Sequence, residues 1–502
     1  MIILISSKIT QSNIHASLGK AEYSYFFLLK DFLPALERIG KVIHVSSQSE
    51  VDDHYVQYSS QGQPVVFISV SPPHQTPLTS ACPTVSLFAW EFDSLPSGGW
   101  DESPCNDWRY AFACIQGAIS TSQETAALVT QVMGDAYPII AMPAPIWDRY
   151  SSLGSVTGKT PILDERKFSF AGIVIDSCTL GLSADGLVRK QSTESVQDED
   201  TQSSPERTPL LSLQNTVAHS LKHSAALLRG WWAEINSPIE GGELAVSLVP
   251  VTAQAGLPDE PHQAALPPLQ EVLVNGVVYC TVLNPADSRK NWVEVITGFC
   301  WAFKNVEDAT LVVKMTHYDL EYYRIVLITL LSRLAPFKCR VLVLHGYLED
   351  REYQALIAAS SFYVNASSGE GLCLPLMEFL SASKPVIAPA HTAMADYIDS
   401  EIAFLVECSL EPFCWPHDPT GIFHTHRHRL NWQSLMEAYK RSYQIAKADH
   451  DAYQRMSMRA YARMHSFASV EQTIEPLRNF LAGVIESSRE RPNTLQKRGA
   501  AQ

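Results

Sequence analysis

Gly369-Glu370-Gly371-Leu372-Cys373-Leu374-Pro375-Leu376-Met377-Glu378 is the stretch that decides the fold. It sets two carboxylates eight positions apart around a glycine-bearing turn and a proline. Upstream, Ser361 to Asn365 (SFYVN) reads as a short buried strand. Downstream, Leu376 to Ser383 reads as a helix start and Lys384 to Ala388 (KPVIA) as the next strand. This order puts Glu370 on a loop at the carboxyl end of a strand. It puts Glu378 in the first turn of a helix whose N-terminus points at that loop. Open α/β sheets bind ligands in crevices at the carboxyl ends of their strands, and helix N-termini attract phosphate.

Outward from this stretch, the chain alternates strands and helices in two blocks. In the first, Ile2 to Ser6, Val42 to Val45, Val65 to Val70, Thr84 to Phe88, Ala118 to Thr121 and Pro138 to Met142 read as strands. Glu22 to Ile39 reads as a long helix, with Phe26, Leu29, Phe32, Leu33 and Leu36 at helical spacing. From Val272 the alternation resumes. Val277 to Leu283, Thr310 to Lys314 and Val341 to Leu344 are predicted strands; Trp292 to Phe303, Tyr322 to Leu334 and Glu349 to Ala359 are predicted helices. Leu435 to Arg463 and Val470 to Ile485 are predicted helical. Such alternation predicts two parallel sheets, each covered on both faces. Between the blocks, Gln191 to Pro209 (QSTESVQDEDTQSSPERTP) is too polar to order itself by burial. Phe168 to Asp176 (a strand) and Asn215 to Ile235 (a helix) look ordered beside it. The expected organisation is 1–150 as a first domain, 151–270 as a partly disordered insertion, 271–465 as a second domain, 466–486 as a closing helix and 487–502 as a disordered tail.

Composition narrows the function. The 502 residues carry a net charge of −15, with a pI of about 5.5. That argues against bulk nucleic-acid binding, which needs a basic footprint. The ten cysteines show no zinc-like or disulfide-framework spacing, which fits a reducing cytoplasm. MIILISSKITQ reads as a first buried strand, not a signal peptide. No apolar run approaches the roughly 18 residues of a membrane span. The helix with Trp231 and Trp232, flanked by Lys222, His223 and Arg229, either touches a membrane interface or packs on its own domain.

At Glu370…Glu378, with the flanking EGLCLPLMEFLSASKPVIA, the chain resembles retaining glycosyltransferases of the GT-B fold, the family-four type (glycosyl transferases group 1). The resemblance covers most of Met1 to Ile146 and Gly276 to Leu481. It implies two doubly wound Rossmann-like domains facing a cleft, with an interdomain insertion. The second domain would bind a nucleotide-diphosphate sugar, and the first a glycan, lipid-linked or other acceptor. No cofactor and no metal are implied. Transfer would retain anomeric configuration, and the setting would be surface polysaccharide or glycolipid synthesis in the cytoplasm or at the inner membrane face.

The resemblance also distributes roles. Glu370 would orient the transferred sugar and Glu378 hold the ribose. Gly371, Leu372, Cys373 and Leu374 would line the donor. In Asn284-Pro285-Ala286-Asp287-Ser288-Arg289-Lys290-Asn291, two adjacent cations sit on a turn that opens a helix. Lys290, with Arg289, would stabilise the departing diphosphate, whose charge grows as the glycosidic bond breaks. Gly19, in LGKAE, stands where the family has a Gly-rich loop bordering the donor phosphate and acceptor, with one glycine in place of several; it would either border the donor or cap the turn. Glu91, in FAWEFDSLP, ends a strand where many members carry a histidine. It either faces the acceptor, as general base or hydrogen-bond partner, or serves as a strand-end acid paired with an arginine. His391 and Asp396 follow the next strand, and His345 closes another. His424, His426 and His428 (HTHRHR) read as a basic surface segment, and Asp198-Glu199-Asp200 as low-complexity sequence with no metal role. Three rival readings stay open: a nucleotide-sugar epimerase, a non-catalytic GT-B subunit that stabilises a partner, and a polysaccharide-binding module.

Overall fold

Apolar runs buried on both faces build two parallel sheets in the computed structural model. It describes residues 1–7, 23–98, 103–157, 163–183, 269–317, 319–415, 418, 421 and 423–490. The first sheet takes β1 (Ile2–Ser7), β2 (Lys41–His44), β3 (Val65–Val70), β4 (Thr84–Phe88), β5 (Gly117–Ser120) and β6 (Ile139–Ala141). Their order is β2-β1-β3-β4-β5-β6, every neighbouring pair parallel. All six residues of β3 are buried, as a strand covered by helices on both sides must be. The helices of this block are α1 (Tyr23–Ile39), α2 (Gln48–Ser59), α3 (Trp108–Cys114), α4 (Gln123–Met133) and α5 (Trp147–Thr157). Of these, only α1 was legible as an element from apolar spacing. α2, α3 and α4 start at side-chain caps: Ser47 accepts from Glu50 N, Asp107 from Arg109 N and Ser122 from Thr125 N.

The segment read as one strand from Phe168 to Asp176 is two. β7 (Arg166–Ala171) pairs antiparallel with β9 (Leu269–Val274), and β8 (Ile173–Asp176) joins the second sheet. Gly172 divides them because the chain passes tightly there: a Cβ would lie 2.7 Å from the His345 carbonyl oxygen.

The second sheet consists of β8, β10 (Val277–Leu283), β11 (Ala309–Met315), β12 (Arg340–His345), β13 (Phe362–Val364), β14 (Val386–Ala388) and β15 (Ala403–Leu405). The order is β15-β14-β13-β10-β11-β12-β8, parallel except for edge strand β8. Its helices are α6 (Trp292–Ala302), α7 (Leu320–Leu334), α8 (Asp350–Ala359) and α9 (Leu374–Ser381). The chain runs β10 to β12 in one direction, then crosses to β13 and runs the other way. That reversal is a topological switch point, and it opens a crevice between the carboxyl ends of β10 and β13. This is the α/β architecture of two doubly wound sheets that the sequence predicts for a GT-B chain.

Three further expectations change. HTHRHR is not a simple surface segment: β17 (His424–Leu430) pairs antiparallel with β16 (Cys408–Cys414) as a two-stranded hairpin. The helical stretch from Leu435 to Arg463 is two helices, α10 (Trp432–Ala448) and α11 (His450–Ala468), with Asp449 capping the second through Ala452 N. The last helix, α12 (Val470–Glu490), takes in 487–490, which were expected to begin a disordered tail. It packs under the first sheet, where a Cβ on Gly117 would sit 3.1 Å from Val484 and 3.2 Å from Phe480. The predicted Asn215 to Ile235 helix, with its two tryptophans, lies outside the described residues, as do Asp198, Glu199 and Asp200. The described residues belong to one compact unit. Among them no helix is long and apolar enough to cross a membrane.

Candidate active site

The switch-point crevice is lined by the loops that leave β10 and β13, and these loops are stitched together. Arg289 Nη1 donates to the Gly369 carbonyl at 2.8 Å, and Ser368 N donates to the Arg289 carbonyl at 2.8 Å. Asn291, with φ at +47°, donates from Nδ2 to the Ala366 carbonyl and to Ser368 Oγ. Asparagine tolerates this left-handed backbone better than most residues. The result brings Arg289 and Lys290 against Glu370.

Glu370 is 3% exposed, and an isolated charge at such depth would be costly. Four side chains among the described residues answer it. Oε1 accepts from Lys290 Nζ (2.6 Å), Ser367 Oγ (2.6 Å) and Asn365 Nδ2 (3.1 Å); Oε2 accepts from Arg289 Nη1 (2.9 Å). Burial pushes the carboxyl up, but Lys290 and Arg289 outweigh it and hold the group well below the usual carboxylate range. Glu370 is therefore an anion throughout the physiological range. Its backbone N–H donates to Thr392 Oγ1 at 3.0 Å.

Glu91 approaches from the other sheet. It follows β4, whose exit is fixed by Trp90 packed on Trp108 (ring centroids 4.5 Å apart), with Trp90 Nε1 donating to the Ser94 carbonyl. Glu91 Oε1 stands 3.2 Å from Arg289 Nε, and Asp287 Oδ2 stands 3.0 Å from the same nitrogen. Burial raises the Glu91 carboxyl above its usual value; Arg289 opposes this, while Asp287 and Glu370 add to it. Of the residues expected at the site, the structure thus gathers Glu370, Arg289, Lys290 and Glu91.

Glu378 is placed elsewhere. It lies in the second turn of α9, not the first, because the helix begins at Leu374. Its Oε1 accepts from Tyr150 OH at 3.4 Å and its Oε2 from Tyr353 OH. Among the described residues, neither carboxyl oxygen shares a partner with Glu370. Burial lifts Glu378 to about 7, against the hydrogen bonds of the two tyrosines and Arg149, and Asp31 adds to the rise. Nearby, Arg149 bridges Asp31 (3.1 Å) and Asp350 (2.6 Å), and Lys30 also holds Asp350. The acid pair therefore serves two separate clusters.

The residues between the two acids form the wall that meets the first sheet. The Gly371 carbonyl accepts from Thr121 Oγ1 at 2.5 Å, and the Leu372 carbonyl accepts from Tyr397 OH at 2.8 Å. The Cys373 thiol, pushed up by burial, accepts from Asn365 Nδ2; it stays protonated at neutral pH. Cys373 adopts φ +65° just before Leu374 opens α9. A Cβ on Gly371 would lie 2.8 Å from Trp90 N and 3.0 Å from Ala89 Cβ. Because the first of these is backbone, Gly371→Ala is expected to cost about 1–3 kcal/mol. A urea titration of the variant beside the parent chain checks this, and an unchanged midpoint would count against so tight a wall.

Asp396 Oδ2 accepts from Gln123 N at 2.8 Å, a second tie between the sheets. His345 is buried, and among the described residues neither ring nitrogen has a hydrogen-bond partner; burial, then Lys314 and His317, press it down to about 4. Gly19 lies outside the described residues. Asn365, Ser367 and Thr392 escaped sequence reasoning; the small polar run Asn365-Ala366-Ser367-Ser368 before Glu370 was the available signal for the first two. Tyr150 and Tyr353 had no such signal.

The hairpin β16–β17 was also missed as part of the site. His428 N donates to the Ser368 carbonyl, on the Glu370 loop, and its ring stacks on His391 with centroids 4.0 Å apart. Further along, Thr425 Oγ1 and His426 N donate to Asp93 Oδ1 at 2.7 and 3.0 Å. One hairpin thus touches both walls. Among the described residues, no group of three or more His, Cys, Asp or Glu comes together as a metal ion would require.

No protein-family model matches the chain, and no curated protein matches it. Solved structures do. Anabaena Alr3699/HepE in complex with UDP and glucose aligns with 96% of this chain and 100% of its own, at 10% identity and a TM-score of 0.47. A glycosyltransferase from Rickettsia africae ESF-5 aligns with 97% of this chain and 98% of its own, at 9% identity and a TM-score of 0.49. The pneumococcal O-GlcNAc transferase GtfA, in complex with UDP and GlcNAc, aligns with 86% of this chain and 59% of its own, at 10% identity and a TM-score of 0.41.

Proposed function

We propose that this chain is a GT-B glycosyltransferase. It moves a sugar from a nucleotide-diphosphate sugar to a glycan, lipid-linked or other acceptor, with retention, in surface polysaccharide or glycolipid synthesis at the cytoplasmic side. The observation that carries the reading is the meeting of Arg289 and Lys290 with Glu370 at the switch-point crevice of the second sheet, opposite Glu91 of the first. Two adjacent cations there suit a diphosphate leaving group, which needs preorganised positive charge as its bond to the sugar breaks. A permanently ionised Glu370 suits hydroxyl groups of the sugar. Glu91, raised toward neutrality, suits an acceptor hydroxyl. Glu378 reaches a ribose by exchanging a tyrosine hydroxyl for a ribose hydroxyl. Residues 271–465 form the donor side and 1–150 the acceptor side, and the chemistry needs no metal.

The test is a donor screen. The purified chain is incubated with UDP-, GDP- and ADP-sugars, and released nucleoside diphosphate is followed for the parent, Glu370→Ala and Lys290→Ala. Release from one donor, lost in both variants, is expected. Turnover of donor to an epimeric nucleotide-sugar without release would favour an epimerase. An absence of both release and nucleotide-induced thermal shift would favour a non-catalytic subunit.

A further inference from the structure

Arg289 is surrounded by more negative charge than it can balance. Its Nε faces Glu91 at 3.2 Å and Asp287 at 3.0 Å, and its Nη1 faces Glu370 at 2.9 Å. Lys290 adds one cation, held by Glu370 at 2.6 Å. Among the described residues, two cations thus meet three carboxylates. A diphosphate entering this cluster brings at least two further charges, so a carboxylate has to leave.

The partners of each acid indicate which one. Glu370 is anchored by Lys290, Arg289, Ser367 and Asn365. Asp287 belongs to the same turn as Arg289 and travels with it. Glu91 comes from the opposite sheet, and among the described residues Arg289 is its one ion-pair partner. The walls also touch beside it: a Cβ on Gly369 would lie 3.0 Å from the Glu91 carbonyl oxygen, and one on Gly371 2.8 Å from Trp90 N. A sugar diphosphate cannot lie between walls in that contact.

We propose that Glu91 holds, on Arg289, the place that the donor's diphosphate takes. Donor binding displaces the Glu91 carboxylate, parts the walls at Gly369 and Gly371, and frees Glu91 to face the acceptor only once the donor is seated. Glu91 thereby sets donor affinity as well as acceptor chemistry. Its raised affinity for a proton, caused by burial and by its neighbours Asp287 and Glu370 against Arg289 and Lys290, accords with a carboxylate held among too many anions.

This inference rests on the donor reading above. Its test is calorimetric titration of the full chain with UDP, GDP and ADP, using the parent, Glu91→Gln and Glu91→Asp. Removing the competing charge is expected to tighten the nucleoside diphosphate that the parent binds by about fivefold to tenfold. In turnover, Glu91→Gln is expected to lower the donor KM and lower kcat together. Glu91→Asp withdraws the carboxylate by one methylene, keeps its charge, and is expected to fall between. Binding by Glu91→Gln that is equal or weaker overturns the proposal. If that variant does not fold, Glu91→Asp decides on the same criterion. An absence of binding by the parent to all three diphosphates sinks the donor reading itself, an outcome seen in the parent and not in a variant.

Discussion

Glu370→Ala is expected to abolish donor turnover, lowering it by at least about 100-fold, the scale on which a preorganised electrostatic group is lost. It is also expected to destabilise the chain by about 3 kcal/mol, because it removes the shared carboxylate of two largely buried cations. Arg289 keeps Glu91 and Asp287, whereas among the described residues Lys290 keeps no carboxylate within ion-pair distance. Glu370→Gln separates the two effects. It preserves an acceptor for Ser367 and Asn365 while deleting the charge, so it should recover part of the stability and little of the turnover. Comparing denaturation midpoints with initial rates for both variants makes the check. Full activity in either variant would remove Glu370 from the donor site. The pH dependence has a definite sign. The folded-state carboxyl is depressed below its unfolded value, so its contribution is fully present above the ordinary carboxylate range. That contribution is lost as pH falls below about 4.

The second large effect has the opposite sign. Glu378 is lifted to about 7 in the folded chain from its ordinary value of about 4.5. The folded state then binds this proton more tightly than the unfolded state, so stability is fully present below about 4.5 and falls as pH rises toward 7. The size is about 3 kcal/mol for a group this deeply buried. Asp31, lifted to about 6 by burial against Arg149, contributes in the same direction over a narrower window. Glu378→Gln is expected to flatten the slope between pH 5 and 8 and to leave the variant more stable than the parent at pH 8. Its amide oxygen can still accept from Tyr353. Urea unfolding of both proteins at pH 5, 6.5 and 8 measures this. Parallel stability profiles would show that the Tyr150–Glu378–Tyr353 cluster does not titrate in that range.

Both predictions concern residues named from sequence: Glu370 lies on the loop that the strand–helix order predicts, whereas Glu378 lies one helical turn later than expected. Glu370 was legible because its position follows from local order. A strand ends at Val364 and a helix starts at Leu374, so the loop between them must lie at a carboxyl edge. Glu378 was legible as a helical residue, but its partners were not. Tyr150 is 228 positions away, on a helix that apolar spacing alone did not reveal. The same holds for HTHRHR. Alternating polar residues gave no burial signal, and its meaning depends on Asp93, 333 positions earlier.

Periodicity and turn chemistry act between neighbours in the chain, so the sequence by itself determined the alternation of strands and helices, two parallel sheets, and a basic turn and an acidic loop at strand ends. Which strands meet at the switch point, and hence that Arg289 and Lys290 grip Glu370, emerges only when the second sheet is ordered around β10 and β13. Only the tertiary structure decided that Glu91 closes on Arg289, that Glu378 turns to Tyr150 and Tyr353, and that the hairpin spans both walls. The physical reason is that ion pairing and burial depend on distance in space, and no local pattern encodes which distant segments will share a dry interface.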